Sequence, residues 1–349
     1  MKTITEYITT DEKKNREIFA QAKEVLKQGG LVAFPTETVY GLGADALNPD
    51  ACTRIYEAKG RPTDNPLIVH AKDAATAKKL AEFDEKSVTL ADCFWPGPLT
   101  IVLKRKPCVP DAVTGGLDTV AVRVPAHLTA QGLLKESDMF IAAPSANLSG
   151  RPSPTEAEHV LADLSGRIDM VIADDSVNVG LESTILDMSS ETPAILRPGA
   201  VTKEQIEAVL GEPVRAAKDL VPESGDDFSP KAPGMKYRHY APKAELFLIC
   251  GNKDRATGLI NTLAAEAVAM GKKTFILAGS ETAGKYKDGE VIDLGGNAFE
   301  ASAQLFKALR HCDEEGAQVI ISEGFEEKGM GRALMNRLIK AAGDNIISV

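Results

Sequence analysis

The chain has 349 residues, more than one ordinary domain requires, so we expect two domains. Its formal net charge of −10 argues against indiscriminate attraction to nucleic acid or anionic membranes, so any anion site must be a local concentration of cations. The 5 cysteines are scattered without a C-x-x-C pair, so we expect reduced thiols and no metal held by the protein. No leader or membrane-length apolar segment is visible, so we expect a cytoplasmic location and no membrane contact.

Apolar patterns in the first part of the chain predict alternating strands and helices. Helices are predicted up to Gly29 and near 51–59, 127–135, 155–163 and 202–210. The predicted strands are the apolar runs "LVAFPT", "PLIVHA", "LTIVLKR", "TVAVRVP", "FIAAPSA", "MVIADD", "STILDM" and "AILRP". Long crossovers beside closely spaced strands predict an α/β fold with a twisted mixed sheet.

The pattern changes after the first two hundred residues. Residues 213–228 are acidic and irregular, and "SPKAPGMKYRHYAP" follows as a proline-bounded stretch. From 243 onward strands alternate with helices, which predicts a smaller parallel, Rossmann-like sheet. We therefore predict a first domain over 1–212, a linker over 213–242 and a second domain over 243–349.

Two glycines in "VYGLGADA" raise the question of a nucleotide loop. Gly41 and Gly43 follow a strand but lack the third glycine of a dinucleotide fingerprint, and the chain has no Walker A loop. The residues alone leave two interpretations open, a tight turn or a direct contact with a ligand.

The segment "KGRPTDNPLIVH" combines two cations with polar side chains. Lys59 and Arg61 lie at a predicted helix end, and Asn65 and His70 follow on a loop and a strand. Cations at a helix C-terminus are favourable without any ligand, so a capped surface helix is one interpretation. The same ammonium and guanidinium groups could instead bind a triphosphate.

Further polar residues follow predicted strands. "APSANLSGRPSPT" places Ser145 and Ser153 after an apolar strand and Thr155 as a predicted helix cap, and "LRPG" places Arg197 at a strand end. Arg123 lies inside an apolar strand, where it needs a carboxylate partner or a ligand, and a ligand carboxylate would serve.

Eight segments in this order resemble one family: "FPTETVYGLGADA", "KGRPTDNPLIVH", "WPGPLTIVL", "GLDTVAVRVPAH", "APSANLSGRPSPT", "ESTI", "LRPG" and "PGMKYRHYAP". They are similar to the two-domain form of L-threonylcarbamoyladenylate synthases, and the resemblance covers nearly the whole chain. It implies a YrdC-like N-terminal domain with a cationic cavity, followed by a C-terminal Rossmann-like domain.

The resemblance also implies a reaction and its partners. L-threonine, bicarbonate and ATP, with Mg²⁺ on its phosphates, would give threonylcarbamoyl-AMP and pyrophosphate. A downstream threonylcarbamoyl transferase complex would then modify the tRNA adenosine beside the anticodon, and a weak contact with tRNA is expected. Two alternatives stay open: an RNA-binding YrdC-like module, and a carbamoyl transferase of the hydrogenase-maturation type, whose extra acylphosphatase and zinc modules this chain lacks.

Site residues follow from the matched motifs. Lys59 and Arg61 are the candidates to neutralise charge that develops on the phosphates. The ATP contacts implied by the resemblance are Arg61, Asn65, Thr119, Ser145, Ser153, Arg197, Tyr237 and Tyr240. The implied threonine pocket consists of Thr38, His70, Arg123, Ala143 through its backbone, and Ser183. The cations and rings of the linker predict a lid that keeps water from the adenylate.

Overall fold

The computed structural model describes residues 2–174, 177–216 and 239–349. The chain divides into two compact units, each with its own sheet. The first unit holds most of the described residues up to 216, and the second holds those from 239 together with Gly150–Ser153 and Val179–Leu181. Most of the linker lies outside the described residues, so its role as a lid and the predicted domain limits stay predictions.

The first unit contains ten strands in its described residues. They are β1 (Ile4–Tyr7), β2 (Val32–Pro35), β3 (Tyr40–Asp45), β4 (Ile68–His70), β5 (Leu99–Lys104), β6 (Thr119–Arg123), β7 (Ile141–Ala142), β8 (Met170–Ala173), β9 (Thr184–Asp187) and β10 (Ala194–Arg197). The helices of this unit are α1 (Glu12–Lys27), α2 (Pro49–Lys59), α3 (Ala74–Ala77), α4 (Glu85–Phe94), α5 (Asp111–Thr114), α6 (Leu128–Ser137), α7 (Ala157–Leu164) and α8 (Lys203–Leu210).

These strands form one sheet in the order β1-β8-β2-β3-β7-β4-β6-β5-β9-β10. Strand β8 pairs in parallel with β1 and β2, and β4–β6 and β5–β9 are also parallel. The pairs β2–β3, β3–β7, β4–β7, β5–β6 and β9–β10 are antiparallel. Long crossovers permit the parallel pairs, whereas short connections give antiparallel ones. The predicted mixed α/β sheet is therefore confirmed.

The two faces of the central strands differ. One face packs its apolar side chains into the large core beneath the helices. The opposite face carries a small apolar cluster of Ile68, Val102, Ala121, Ile185 and Leu196. Because side chains alternate along a strand, Thr119, Ala121 and Arg123 of β6 share this second face. Thr119 and Arg123, both candidate site residues, thus lie on either side of this small apolar cluster.

Two strands differ from the sequence expectation. Strand β1 is a polar edge strand, and its pattern gave no strong signal. Gly41 and Gly43 lie within β3, so the tight-turn interpretation is wrong. A Cβ at Gly43 would lie 2.7 Å from a methyl of Ile141 and 2.8 Å from the ring of Phe34. Glycine is required there because neighbouring side chains cross the strand closely.

The second unit contains a sheet of five parallel strands, which confirms the predicted Rossmann-like architecture. The strands are β11 (Glu245–Cys250), β12 (Thr274–Ala278), β13 (Glu290–Asp293), β14 (Val319–Glu323) and β15 (Ile346–Ser348), in the order β13-β12-β14-β11-β15. The helices are α9 (Lys253–Ala269), α10 (Ser280–Ala283), α11 (Ala298–Glu314) and α12 (Met330–Ala342).

Within the described ranges, no helix combines the length and the apolar character needed to cross a bilayer.

Candidate active site

Arg123, at the carboxyl end of β6, is buried and its guanidinium meets three protein groups. Nη2 lies 2.7 Å from Oε1 of Glu37, Nη1 donates to Oγ1 of Thr38 at 3.0 Å, and Nε donates to the carbonyl of Gly97 at 3.2 Å. Burial alone would raise the pKa of the Glu37 carboxyl, but the Arg123 charge and hydrogen bonds outweigh burial and lower that pKa. The chain itself therefore supplies a carboxylate for the buried arginine, and a ligand carboxylate is not needed to account for it.

His70 lies beside Arg123 because β4 and β6 pair in register at these two residues. Its side chain is buried, and the ring meets Phe34 edge-on with the centroids 6.1 Å apart. Burial, helped by the nearby Arg123 charge, lowers the pKa of His70 to about 3. Nδ1 is buried without a hydrogen-bond partner in the described part of the chain. The imidazole is neutral at physiological pH and retains a nitrogen for a ligand.

Ser183, directly before β9, contacts side chains from two other strands, β5 and β10. Its hydroxyl lies 2.8 Å from Oγ1 of Thr100 in β5. Arg197 of β10 donates from Nη2 to the same hydroxyl at 3.2 Å and from Nε to the Ser183 carbonyl at 3.1 Å. The predicted threonine residue Ser183 and the predicted ATP residue Arg197 are therefore in direct contact.

Lys59 ends α2, but its side chain points into the protein. It is only 4% exposed, so the interpretation as a capped surface helix is wrong. Nζ donates to the carbonyls of Ser145 and Asn147, both at 2.5 Å, and the Lys59 carbonyl accepts from the N–H of Ser149 at 2.9 Å. Lys59 thus holds the loop that follows β7 and fixes the position of Ser145.

Arg61 and Asn65 follow Lys59 on the next loop and are also buried. Nη2 of Arg61 donates to the Pro66 carbonyl at 3.2 Å, and its guanidinium carbon lies 5.7 Å from the centroid of the Tyr56 ring. Both amide atoms of Asn65 are buried without a hydrogen-bond partner among the described residues. Leaving such groups unsatisfied costs about 1–3 kcal/mol, so Asn65 indicates a position for a polar ligand.

Ala143 and Thr119 complete the predicted residues of the first unit. The N–H of Ala143 donates to the Ile68 carbonyl at 2.8 Å, which fixes the backbone of Ala143 beside β4. Thr119 begins β6, four residues before Arg123, so the two side chains lie about 13 Å apart on the same face. That separation suits a long bound species with different chemistry at its two ends.

Ser153 is buried and belongs to the Gly150–Ser153 segment of the second unit. In the same unit, Arg310 donates to the carbonyl of Pro152 at 2.7 Å. Thr155 does not cap the following helix, because Glu156 occupies the cap position and the Thr155 N–H donates to Nδ1 of His159. The predicted cap at Thr155 is therefore wrong.

Tyr240 is 4% exposed and has a positive φ of 65°. Its ring stacks on Phe306 with the centroids 5.3 Å apart, and the guanidinium carbon of Arg337 lies 5.5 Å from its centroid. All three residues belong to the second unit. Tyr237 lies outside the described residues, so an ATP contact by either tyrosine stays a prediction.

Sequence reasoning missed Glu37 and Thr100. Glu37 precedes Thr38 in the motif "FPTETVYG", and an acid in a buried stretch signals an ion pair. Thr100 alternates with buried apolar residues of β5 and gave no separate signal.

Binding of a metal ion by the protein would require several ligating side chains close together. In the described ranges, no group of three or more His, Cys, Asp or Glu side chains could hold a metal.

Two family models together match most of the chain. The first, described as "Telomere recombination", matches residues 24–199. The second, described as "Threonylcarbamoyl-AMP synthase, C-terminal domain", matches residues 201–343.

Curated proteins and solved structures are similar over the full length. The threonylcarbamoyl-AMP synthase of Pyrococcus abyssi is 50% identical over 325 residues, covering 93% of this chain and 94% of that protein. The Bacillus subtilis enzyme of the same name is 48% identical, with 97% of each chain covered. A crystal structure of P. abyssi Sua5 complexed with L-threonine matches with a TM-score of 0.91 at 48% identity and covers 100% of both chains.

Proposed function

The chain belongs to the threonylcarbamoyl-AMP synthase family, and on that premise we propose that it converts L-threonine, bicarbonate and ATP into threonylcarbamoyl-AMP and pyrophosphate. The observation that carries the proposal is a group of four cations, Lys59, Arg61, Arg123 and Arg197, each at most 8% exposed in the first unit. The substrates and the product of this reaction are anionic, and preorganised cations stabilise such charge.

Threonine is assigned to the end of the second sheet face where β4 and β6 finish. Arg123 makes two hydrogen bonds and one ion pair within the protein, and its remaining N–H groups are proposed to bind the amino-acid carboxylate. Thr38, neutral His70 and the Ala143 carbonyl supply hydroxyl, imidazole and carbonyl groups for the ammonium and the side-chain hydroxyl. Ser183 completes the pocket on the β9 side.

ATP is assigned to the neighbouring end of the site. Arg61 and Lys59 are proposed to face the phosphates, and Asn65 supplies a buried amide whose atoms need partners. Thr119, Ser145, Ser153 and Arg197 are the further proposed contacts. The contact between Arg197 and Ser183 supports adjoining pockets, as the attack of the carbamate oxygen on the α-phosphorus requires.

The proposed chemistry needs no nucleophile from the protein. An oxygen of the carbamate group of threonine carbamate forms a bond with the α-phosphorus of ATP. The bond between that phosphorus and the pyrophosphate oxygen breaks at the same time. The protein holds the two anions in line and stabilises negative charge on the phosphate oxygens. His70 is not a cation in this scheme because its pKa of about 3 keeps it neutral.

The Mg²⁺ ion that accompanies ATP belongs to the substrate in this proposal. Mg²⁺ prefers phosphate and water oxygens to all-protein cages, and we propose that it arrives bound to the ATP phosphates. The four buried cations of the protein would share the neutralisation of charge.

The remaining partners and the location rest on the chemistry of the product. An activated acyl-adenylate requires an acceptor, and we propose that a downstream transferase complex passes the threonylcarbamoyl group to tRNA, with at most weak tRNA contact by this chain. The linker, including Tyr237 and Tyr240, is proposed as a lid on the strength of its composition. Five free thiols support a reducing, cytoplasmic compartment.

Isotope transfer tests the proposal directly. The purified chain is incubated with ATP, Mg²⁺, L-threonine and ¹³C-bicarbonate, and the nucleotide products are analysed by mass spectrometry. The expected product is threonylcarbamoyl-AMP that carries a single ¹³C. Adenylated threonine without the carbamoyl carbon, or no threonine-dependent nucleotide product, would contradict the proposal.

A further inference from the structure

The second unit contains a cleft of about 730 Å³ at the carboxyl ends of its parallel strands. All lining residues belong to this unit, so the cleft is separate from the residues assigned to the synthase reaction. Its volume falls in the range of about 300–1,000 Å³ that small-molecule sites occupy.

The cleft lies where the strand order reverses. The chain leaves β11 toward β12 and β13 on one side of the sheet, whereas it leaves β14 toward β15 on the other side. Because such crossovers are right-handed, the helix that follows β11 and the helix that follows β14 lie on opposite faces of the sheet. The loops that lead from these two strands into their helices therefore diverge and leave a gap. Open parallel sheets bind ligands at this reversal point. Cys250 at the end of β11, Gly251 after it, and Gly324 and Phe325 after β14 line the cleft.

Two lining glycines have no structural requirement to be glycine. Gly279, after β12, has an ordinary φ of −77°, and a Cβ there would meet no atom closer than 3.7 Å. A Cβ at Gly296, after β13, would likewise meet only the Glu300 carboxylate, at 3.7 Å. Gly295 differs, because its φ of 113° requires glycine. The fold does not require glycine at Gly279 or Gly296. The absence of a side chain at these positions keeps the loop backbone accessible to a ligand.

The polar groups of the cleft select against phosphate. Four carboxylates, on Glu281, Glu323, Glu326 and Glu327, face two lysines, so the lining has an excess of two negative charges. One lysine, Lys253, already pairs with Glu281 at 2.5 Å. The Gly279 N–H, which could have bound an anion, donates to Oε2 of Glu323 at 3.0 Å.

The Glu323 carboxylate still has capacity to accept hydrogen bonds. Oε1 accepts from the Tyr286 hydroxyl and Oε2 from Gly279, yet each carboxylate oxygen can accept two bonds. Beside it, Phe325 and Met335 provide apolar surface within the same cleft. The site therefore combines an acceptor for hydroxyl donors with a wall for a flat apolar group.

We propose that this cleft binds an uncharged nucleoside, with its ribose hydroxyls on Glu323 and its base against Phe325 and Met335. Carboxylates at strand ends accept ribose hydroxyls in other open parallel sheets, and the excess negative charge explains why the phosphate-free form is preferred.

The test uses the full chain labelled with ¹³C at the methionine methyl groups. The Met335 signal, assigned with Met335→Leu, is followed by NMR during titration with adenosine, guanosine, cytidine and uridine, and separately with AMP. At least one nucleoside is expected to shift the Met335 signal saturably, and AMP is expected to bind about tenfold more weakly, a penalty of about 1.4 kcal/mol.

Three variants decide the assignment. Gly279→Leu fills the cleft and should weaken binding at least tenfold. Gly284→Leu is the matched control and should leave binding unchanged. Gly284 is exposed, lies outside the lining of the cleft, and has no atom within 4 Å of its Cβ position. Glu323→Gln, which keeps the side-chain volume, should also weaken binding and decides the question if Gly279→Leu fails to fold. No Met335 shift at millimolar nucleoside, equal binding by Gly279→Leu or Glu323→Gln, or tighter binding of AMP than of its nucleoside would overturn the proposal.

Discussion

Arg123 and Glu37 form a buried ion pair at 2.7 Å that joins β6 to the segment between β2 and β3. The two residues are 86 positions apart, and the same guanidinium also positions the hydroxyl of Thr38. The pair therefore links the stability of the first unit to the geometry of the proposed threonine pocket.

Breaking this pair should be costly. Glu37→Ala leaves the Arg123 charge buried without its carboxylate, and we expect the free energy of unfolding to fall by about 3–5 kcal/mol. Glu24→Ala removes a carboxylate from the exposed Lys27–Glu24 pair and should change the free energy of unfolding by less than about 1 kcal/mol. Urea unfolding of both variants measures the difference, and equal effects would contradict a stabilising role for the Glu37 pair.

The phosphate assignment predicts a selective loss of rate. Arg61→Ala should lower the rate of adenylate formation about 10²–10³-fold, because a preorganised charge on the phosphates is lost. Arg54→Ala is the matched control on α2, since Arg54 pairs with Asp169 outside the proposed pocket. Steady-state kinetics at saturating ATP and threonine distinguish them; unchanged turnover in Arg61→Ala refutes the assignment.

Lys59 is expected to affect both stability and rate. Its ammonium holds two carbonyls of the loop after β7, so Lys59→Ala should destabilise the chain as well as slow the reaction. Lys59→Arg keeps the charge and should retain more stability than the alanine variant. Paired unfolding and kinetic measurements test this, and a fully stable Lys59→Ala would show that the two hydrogen bonds contribute little.

The proposed pocket predicts preference for threonine. Serine lacks one methyl contact worth about 1 kcal/mol, and valine leaves the polar groups of the pocket unpaired. Thr38→Val should weaken threonine binding more than ATP binding, because it removes the hydroxyl held by Arg123. Calorimetric titration with each substrate is the measurement, and the reverse order would place threonine elsewhere.

His70 predicts a pH dependence of stability. Because its pKa is lowered to about 3, the folded chain binds fewer protons at this site than the unfolded chain below pH 6.5. The stabilisation is present above pH 6.5 and is lost as the pH falls toward 3, at up to about 1.4 kcal/mol per pH unit. His70→Asn should flatten this slope, whereas His311→Asn, at an exposed histidine, should leave it unchanged. Identical slopes in the wild type and His70→Asn would refute the low pKa.

Tyr240 can be tested for its two roles separately. Tyr240→Ala removes the stack on Phe306 and should cost about 3–5 kcal/mol of stability, whereas Tyr240→Phe keeps the ring and most of the stability. If Tyr240 also contacts ATP, the alanine variant should raise the KM for ATP under conditions in which it is folded. An unchanged KM would leave Tyr240 with a packing role alone.

The sequence predicted the architecture well where apolar periodicity was strong. The central strands β11, β12 and β14 of the second unit coincide with apolar runs, and the parallel order follows from the alternation with helices. Strand β1 was missed because an exposed edge strand lacks apolar alternation, and β3 because glycines weaken the strand signal. The resemblance drawn from eight ordered motifs is confirmed by the family models and the curated relatives.

The site was harder to predict because it depends on long-range contacts. The sequence placed Lys59 on a surface helix end or at a phosphate, and only the fold shows its ammonium on the carbonyls of Ser145 and Asn147. The partner of Arg123 could not be identified without the fold that brings the end of β6 beside Glu37. Local patterns give residue types and strand ends, whereas buried charge pairs require the three-dimensional arrangement.

The most direct test of the account is pyrophosphate release from ATP with each of the twenty amino acids, with and without bicarbonate. Release is predicted to be fastest with L-threonine, to require bicarbonate, and to fall about 10²–10³-fold in Arg61→Ala. Release that does not depend on bicarbonate, or that is equally fast with valine or serine, would contradict the proposal that the buried cations and the Thr38 pocket activate threonine as its carbamate.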